Sequence, residues 1–246
     1  MTDFIVEDKP YSMRPNFKKL TGSLYNPRPS FSYLNEKYNE LKSIKQPYGL
    51  WDSSSEAYQD KIVQKTAKHL GLEANNILEL GFRLEEDIVI MHKGRIQACF
   101  VAFPSGWDPA SKFMMTLEEI HKPVADGNEL RRASPRIADI MASGNGPWCR
   151  TVWTVSPTNK LSNHPVYAKP DPQSIDDLYF RYEYQTFDTV EIGLTSVFLI
   201  KTVVVPFKEY VDTDEKMCII KNSIASMSDD VLTYKNLHRI KELLWQ

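Results

Sequence analysis

The run LTSVFLIKTVVV at residues 194–205 constrains the fold more than any other stretch of the chain. It is dense in β-branched residues, which suit a pleated, packed surface and crowd a helix. It falls well short of the about 20 apolar residues that a membrane span requires. It is also too apolar to stand at an exposed sheet edge, so it belongs in the middle of a sheet with a neighbour on either side. Residues 148–155 and 178–187 read as long β segments. Residues 87–92 and 95–103 read as a hairpin closed by the tight turn Lys93-Gly94. Within that second strand, Ile96, Ala98, Phe100 and Ala102 alternate with Cys99, Val101 and Phe103.

Helical periodicity fills much of the rest. Tyr58, Ile62, Val63, Ala67 and Leu70 predict a helix over 53–72, with Ser53 or Ser54 as cap and Gly71 as stop. Leu130, Ile137, Ile140 and Met141 predict another over 128–143, with Pro135 near its first turns. Two more close the chain over 214–225 and 229–245, the second capped by Ser228. Helices flanking an antiparallel sheet of about five strands make the chain α+β. Residues 1–50 read as an extended arm and 51–246 as the domain. Prolines at 10, 15, 27, 29 and 47 interrupt the arm, and one short helix is expected over 33–44. Its aromatic residues Tyr11, Phe17, Tyr25, Phe31, Tyr33 and Tyr38 are expected to be buried as it wraps the domain. A dimer contact or a lid is the alternative, which leaves room for a homo-oligomer.

The net charge of −2 gives no electrostatic footprint for nucleic acid or an anionic membrane. The start, MTDFIVEDKPYS, has no apolar core and is not a signal peptide, which by default points to the cytoplasm. The three cysteines lie far apart and include no C-x-x-C, against a zinc ribbon, a four-cysteine cluster or covalent c-type heme. The dinucleotide and P-loop fingerprints, H-E-x-x-H and G-x-S-x-G are all missing.

Chemistry concentrates in residues 100–124, FVAFPSGWDPASKFMMTLEEIHKPV. A strand is stopped by Pro104-Ser105-Gly106, a loop carries Trp107, Asp108 and Lys112, and a short helix ends at His121. Pro123 is expected to push Lys122 out of the helical region. The strings PSGWDPASK and IHKPV resemble the large subunit of the heme-dependent oxidative N-demethylases, also called dimethylamine monooxygenases. LGFRLEEDIVIM at 80–91 and LYFRYEYQTF at 178–187 are similar to two further family segments. The resemblance covers roughly residues 58–241.

That resemblance implies a PAS-like curved sheet that cups a noncovalent heme b. It implies oxidation of a small amine by dioxygen, as N-demethylation or monooxygenation, with electrons from a separate flavin and iron–sulfur reductase. Some family members also work beside a folate-binding subunit. A non-catalytic heme sensor or carrier on the same fold is the alternative. His121 is the candidate iron ligand, since a neutral imidazole on a pinned helix suits heme iron. Its bland reading is a His answering the helix dipole. Lys112, Arg83, Arg150 and Arg181 are candidates for the propionates, and Trp107 for the porphyrin face; each could instead be structural. Asp108 and Glu183 are the acids that could meet a cationic amine, in catalytic roles. Trp153, Tyr182 and Tyr184 could wall its pocket through cation–π attraction. Asp108 before Pro109 can equally start a turn, and Glu183 can pair with Arg150 or Arg181 across the sheet. Tyr184 stands where the family usually has Arg, which implies a different amine preference. Lys201, Lys208, Lys216 and Lys221 form a candidate face for the reductase.

Overall fold

The computed structural model describes residues 6–13, 15–43 and 56–246. The boundary expected near residue 50 and the Ser53 or Ser54 cap lie outside them. Among the described residues six strands form one antiparallel sheet: β1 (Lys18–Lys19), β2 (Asp87–His92), β3 (Arg95–Phe100), β4 (Trp148–Ser156), β5 (Tyr179–Glu191) and β6 (Thr195–Pro206). Their spatial order is β1-β4-β5-β6-β2-β3. The apolar run forms β6, paired on one side with β5 and on the other with β2, the central place its composition demanded. A bulge between Ile90 and Met91 pairs Met91 with Ile96. One extra residue reverses the alternation, so Ile96 joins Cys99 and Val101 rather than Ala98 and Phe100.

The helices are α1 (Phe31–Ser43), α2 (Glu56–His69), α3 (Ile77–Phe82), α4 (Leu117–His121), α5 (Asn128–Met141), α6 (Phe207–Tyr210), α7 (Asp214–Ala225), α8 (Asp229–Lys235) and α9 (His238–Leu244). Gly71, at φ 71°, closes α2 in the left-handed conformation that favours glycine. The single helix expected over 229–245 is two. Asn236 takes φ 57° and ψ 48°, a conformation Asn tolerates, and breaks the run between α8 and α9. Pro135 lies in the middle of α5, not in its first turns. Lys122 stays right-handed helical at φ −55° and ψ −39°, against the expectation from Pro123.

Alternation along β4–β6 gives the sheet two faces. On one, Phe180, Tyr182, Tyr184 and Thr186 line up beside Val197, Leu199 and Lys201. That face is covered by α2 and α3, by the C-terminal helices α7–α9, and by residues 6–13 and 15–26. On the other, Arg181, Glu183, Gln185 and Phe187 line up beside Arg150 and Phe198, and α4 and α5 cover it.

The N-terminal segment is tied down at many points. Val6 is buried against α7–α9, and its N–H donates to Tyr210 Oη at 3.1 Å. Tyr25 and Tyr33 donate their hydroxyls to the carbonyls of Leu70 and Thr202 at 2.8 and 2.9 Å. Tyr11, Phe17, Tyr25 and Tyr33 are packed, but Phe31 and Tyr38 on α1 are 85% and 50% exposed. An amphipathic helix keeps one side in water, and α1 turns those two rings outward.

The deepest anchor of this segment is Lys37 on α1. Its ammonium is fully buried, donates to the carbonyls of Gly81, Leu84 and Glu86 at 3.3, 3.0 and 2.6 Å, and lies 3.5 Å from the Asp87 carboxylate. Asp87 in turn accepts from the N–H groups of Ala102 and Phe103. Next to it, Glu85 pairs with Lys201 at 2.7 Å and accepts from Asn26 and Ser30. The Glu85-Glu86-Asp87 string is thus the socket that receives the N-terminal segment. Lys201 is buried in it, so the lysine face imagined for reductase docking loses its first member.

Candidate functional site

The loop between β3 and α4 is seated by its own sequence. Asp108 caps a 3-10 turn, Pro109–Lys112, by accepting from Ala110 N–H at 2.9 Å. Thr116 and Glu119 form a reciprocal capping box that starts α4, with Thr116 N–H donating to the Glu119 carboxylate at 2.7 Å. Trp107, Phe113, Leu117 and Ile120 pack on Val89, Met91, Cys99 and Val101 of the sheet. This pins α4 to the sheet and aims its last residue, His121, at α5. There His121 Nδ1 lies 3.1 Å from Ser134 Oγ, and Ser134 is fully buried.

Burial is the main influence on His121 and pulls its pKa down to about 4. The nearby Arg150 guanidinium lowers it further, the Leu117 carbonyl one turn back works the other way, and Lys112 adds a smaller push down. The imidazole is therefore neutral across ordinary pH and sits in positive surroundings.

A second group on the same face surrounds Glu183. Its carboxylate accepts from Ser105 Oγ and, at 2.6 Å, from Gln185 Nε2. Arg150 Nε donates to Gln185 Oε1 at 2.6 Å. Ser105 accepts from Arg181 Nε at 2.9 Å, and the rest of the Arg181 fork donates to the carbonyls of Phe103, Lys160 and Leu161. Arg181 is thereby committed to fastening the Pro104–Gly106 loop to residues 160–161. Asp108 also has a local task beyond its cap, at 3.4 Å from His164 Nε2.

The sheet thus gathers His121, Lys112, Trp107, Arg150 and Glu183 on one face, with Arg181 beneath them as a brace. It does not bring the others there. Arg83 is exposed at the end of α3, which packs on the opposite face. Trp153, Tyr182 and Tyr184 also project from that opposite face, since Tyr182 and Tyr184 flank Glu183 in a strand whose side chains alternate. With Tyr11, Tyr25 and Arg150, which reaches it from the His121 face at the β4 edge, they line a cavity of about 900 Å³ beneath the N-terminal segment. Burial pushes the Tyr184 phenol up to about 12, and its hydrogen bond with Cys149 adds to this.

Sequence reasoning did not single out Ser105, Gln185 or Ser134. Gln185 was within reach, because it shares a face with Glu183 by alternation. Ser134 was not, because no local pattern says that α5 packs across His121.

These residues suit a heme. Burial leaves the His121 imidazole neutral, Arg150 and Lys112 supply cations on the same side, and Trp107 with Leu117 supplies apolar wall. Among the described residues no group of three His, Cys, Asp or Glu side chains is placed to hold a metal ion.

Fold and site together describe a mixed helix-and-sheet protein with a neutral, sheltered histidine beside the half-buried cations Arg150 and Lys112. The family model for "Haem-dependent oxidative N-demethylase, alpha subunit-like" proteins matches residues 31–245, and the chain belongs to that family. No curated protein matches the chain. Among the described residues no helix is long and apolar enough to cross a membrane.

Proposed function

We propose that the chain binds heme b noncovalently through His121 and oxidises a small amine with dioxygen, by N-demethylation or monooxygenation. The observation that carries the reading is the neutral His121 imidazole, flanked by Arg150 and Lys112, in a chain of a heme-dependent family. Bound heme would supply the redox chemistry between dioxygen and the amine's C–H bond. The protein's part is to seat and orient. His121 would ligate the iron, Arg150 and Lys112 would answer the propionates, and Trp107 would wall the porphyrin. Glu183 is the acid we assign to the cationic amine, because it lies on the sheet face that α4 and His121 cover, with Arg150 beside it. The amine pocket belongs on this face, which leaves Trp153, Tyr182 and Tyr184 to the cavity across the sheet.

We read the domain as PAS-like. Its five long strands run β3-β2-β6-β5-β4, with the first and last in sequence paired at the centre and the β3–β4 helices laid on one face. The first fifty or so residues are its arm. The lack of a dinucleotide fingerprint supports a separate flavin and iron–sulfur reductase as electron donor, and a cytoplasmic location fits that dependence.

The test is heme titration of the purified protein, followed by the visible spectrum. His121→Ala is expected to lose the Soret band while its far-UV circular dichroism is kept. A normal spectrum in His121→Ala, with loss in His92→Ala or His164→Ala, would overturn the assignment. Amine-dependent turnover with a reductase present is expected; a stable heme complex without it would mark a sensor or carrier.

A further inference from the structure

We infer that Ser134 is the positioning residue of His121: it holds the ring in the Nδ1–H tautomer and leaves the Nε2 lone pair as the ligating atom, a role that rests on the heme reading above. Ser134 Oγ lies 2.8 Å from the Leu130 carbonyl oxygen, one turn earlier on α5. Two oxygens that close repel unless a hydrogen lies between them, and a carbonyl has none to give. The single hydroxyl hydrogen of Ser134 therefore points at Leu130. Toward His121, Ser134 offers only a lone pair. The 3.1 Å contact from Nδ1 is a hydrogen bond only if Nδ1 carries the proton. The Leu117 carbonyl, one turn back on α4, is a second acceptor beside the ring, but a neutral imidazole has one N–H and the Ser134 contact places it on Nδ1, so Nε2 is left bare.

Ser134 is fully buried, so no bulk water stands in for either partner. The bond also fixes the ring plane, because Ser134 is held at one end by its own helix. This is the second partner that histidine ligands of metals use to set tautomer and orientation.

The tautomer can be read without heme. In the full chain labelled with 15N-histidine and prepared heme-free, a long-range 1H–15N spectrum at neutral pH is expected to show His121 as Nδ1–H. Ser134→Ala is expected to move it to Nε2–H, and Ser134→Thr, whose hydroxyl can also reach the carbonyl one turn back, to keep it. An Nε2–H ring in the wild-type protein, or an unchanged tautomer in a folded Ser134→Ala, overturns the inference. If Ser134→Ala does not fold, the wild-type tautomer decides alone. Heme titration separates this from the reading it deepens: Ser134→Ala is expected to weaken heme uptake about 10–100-fold. A changed tautomer with unchanged heme affinity would sink His121 as the ligand and leave Ser134 as its tautomer clamp.

Discussion

Acid should destabilise the heme-free protein through His121 in a way that can be isolated. The unfolded imidazole titrates near 6.5 and the folded one near 4. Between those values the unfolded chain takes up a proton that the folded chain refuses. Stability therefore falls as pH drops through 6.5, and this contribution levels off below about 4. The full shift is worth about 3 kcal/mol at about 1.4 kcal/mol per pKa unit. Partial solvent access to the ring trims this to about 2–3 kcal/mol. Glu86, Asp87 and His92 also have shifted pKa values, so the wild-type pH curve alone would not identify the cause. The difference between wild type and His121→Gln does, because Gln can keep a hydrogen bond to Ser134 without titrating. Urea unfolding of both proteins at neutral pH and in acid supplies it. Relative to neutral pH, wild type is expected to lose about 1 kcal/mol against the variant at a pH near 5.5, and about 2 kcal/mol near 4.5. A difference that does not move with pH, or an NMR titration of His121 centred near 6.5, would refute the reasoning.

Lys37→Met leaves Asp87 buried without its cation and frees three carbonyls. It should cost about 3–5 kcal/mol by urea unfolding, and a loss under about 1 kcal/mol would show that the socket is not a major anchor. Arg181→Lys replaces a planar fork spanning Ser105, Phe103 and Leu161 with a point donor. A loss of about 2–4 kcal/mol and faster amide exchange in residues 104–106 and 161–163 are expected, and unchanged exchange there would count against the brace. Tyr184→Arg restores the residue usual in the family on the face away from His121. A panel of amines titrated against the ferric Soret band should give the same ranking as wild type, whereas a reordered ranking would move the amine pocket to the arm side. Under anaerobic conditions NADPH alone should leave the heme ferric, with reduction only after a reductase is added; rapid reduction by NADPH alone would refute dependence on a partner.

What the sequence determined by itself was local. The β-branched run at 194–205 could only be a central strand, because an edge so apolar would aggregate, and it lies between β2 and β5. The Lys93-Gly94 hairpin, the short helix ending at His121 and the family strings were likewise legible, since each is a pattern within a dozen residues. The tertiary structure decided everything that depends on which residue meets which across the chain. Lys37 reads as one more charge on a polar helix, yet among the described residues it is the most deeply buried lysine, because the carbonyls that receive it lie 44 to 49 residues away. Lys201 reads as a surface cation and is paired with Glu85, 116 positions earlier. The alternation of Tyr182, Glu183 and Tyr184 was visible in the sequence. Which of those faces meets His121 was not, because that depends on where α4 and α5 pack. Side-chain period is a local consequence of backbone geometry, whereas the partner of each face is set by the global packing of segments that share no sequence window.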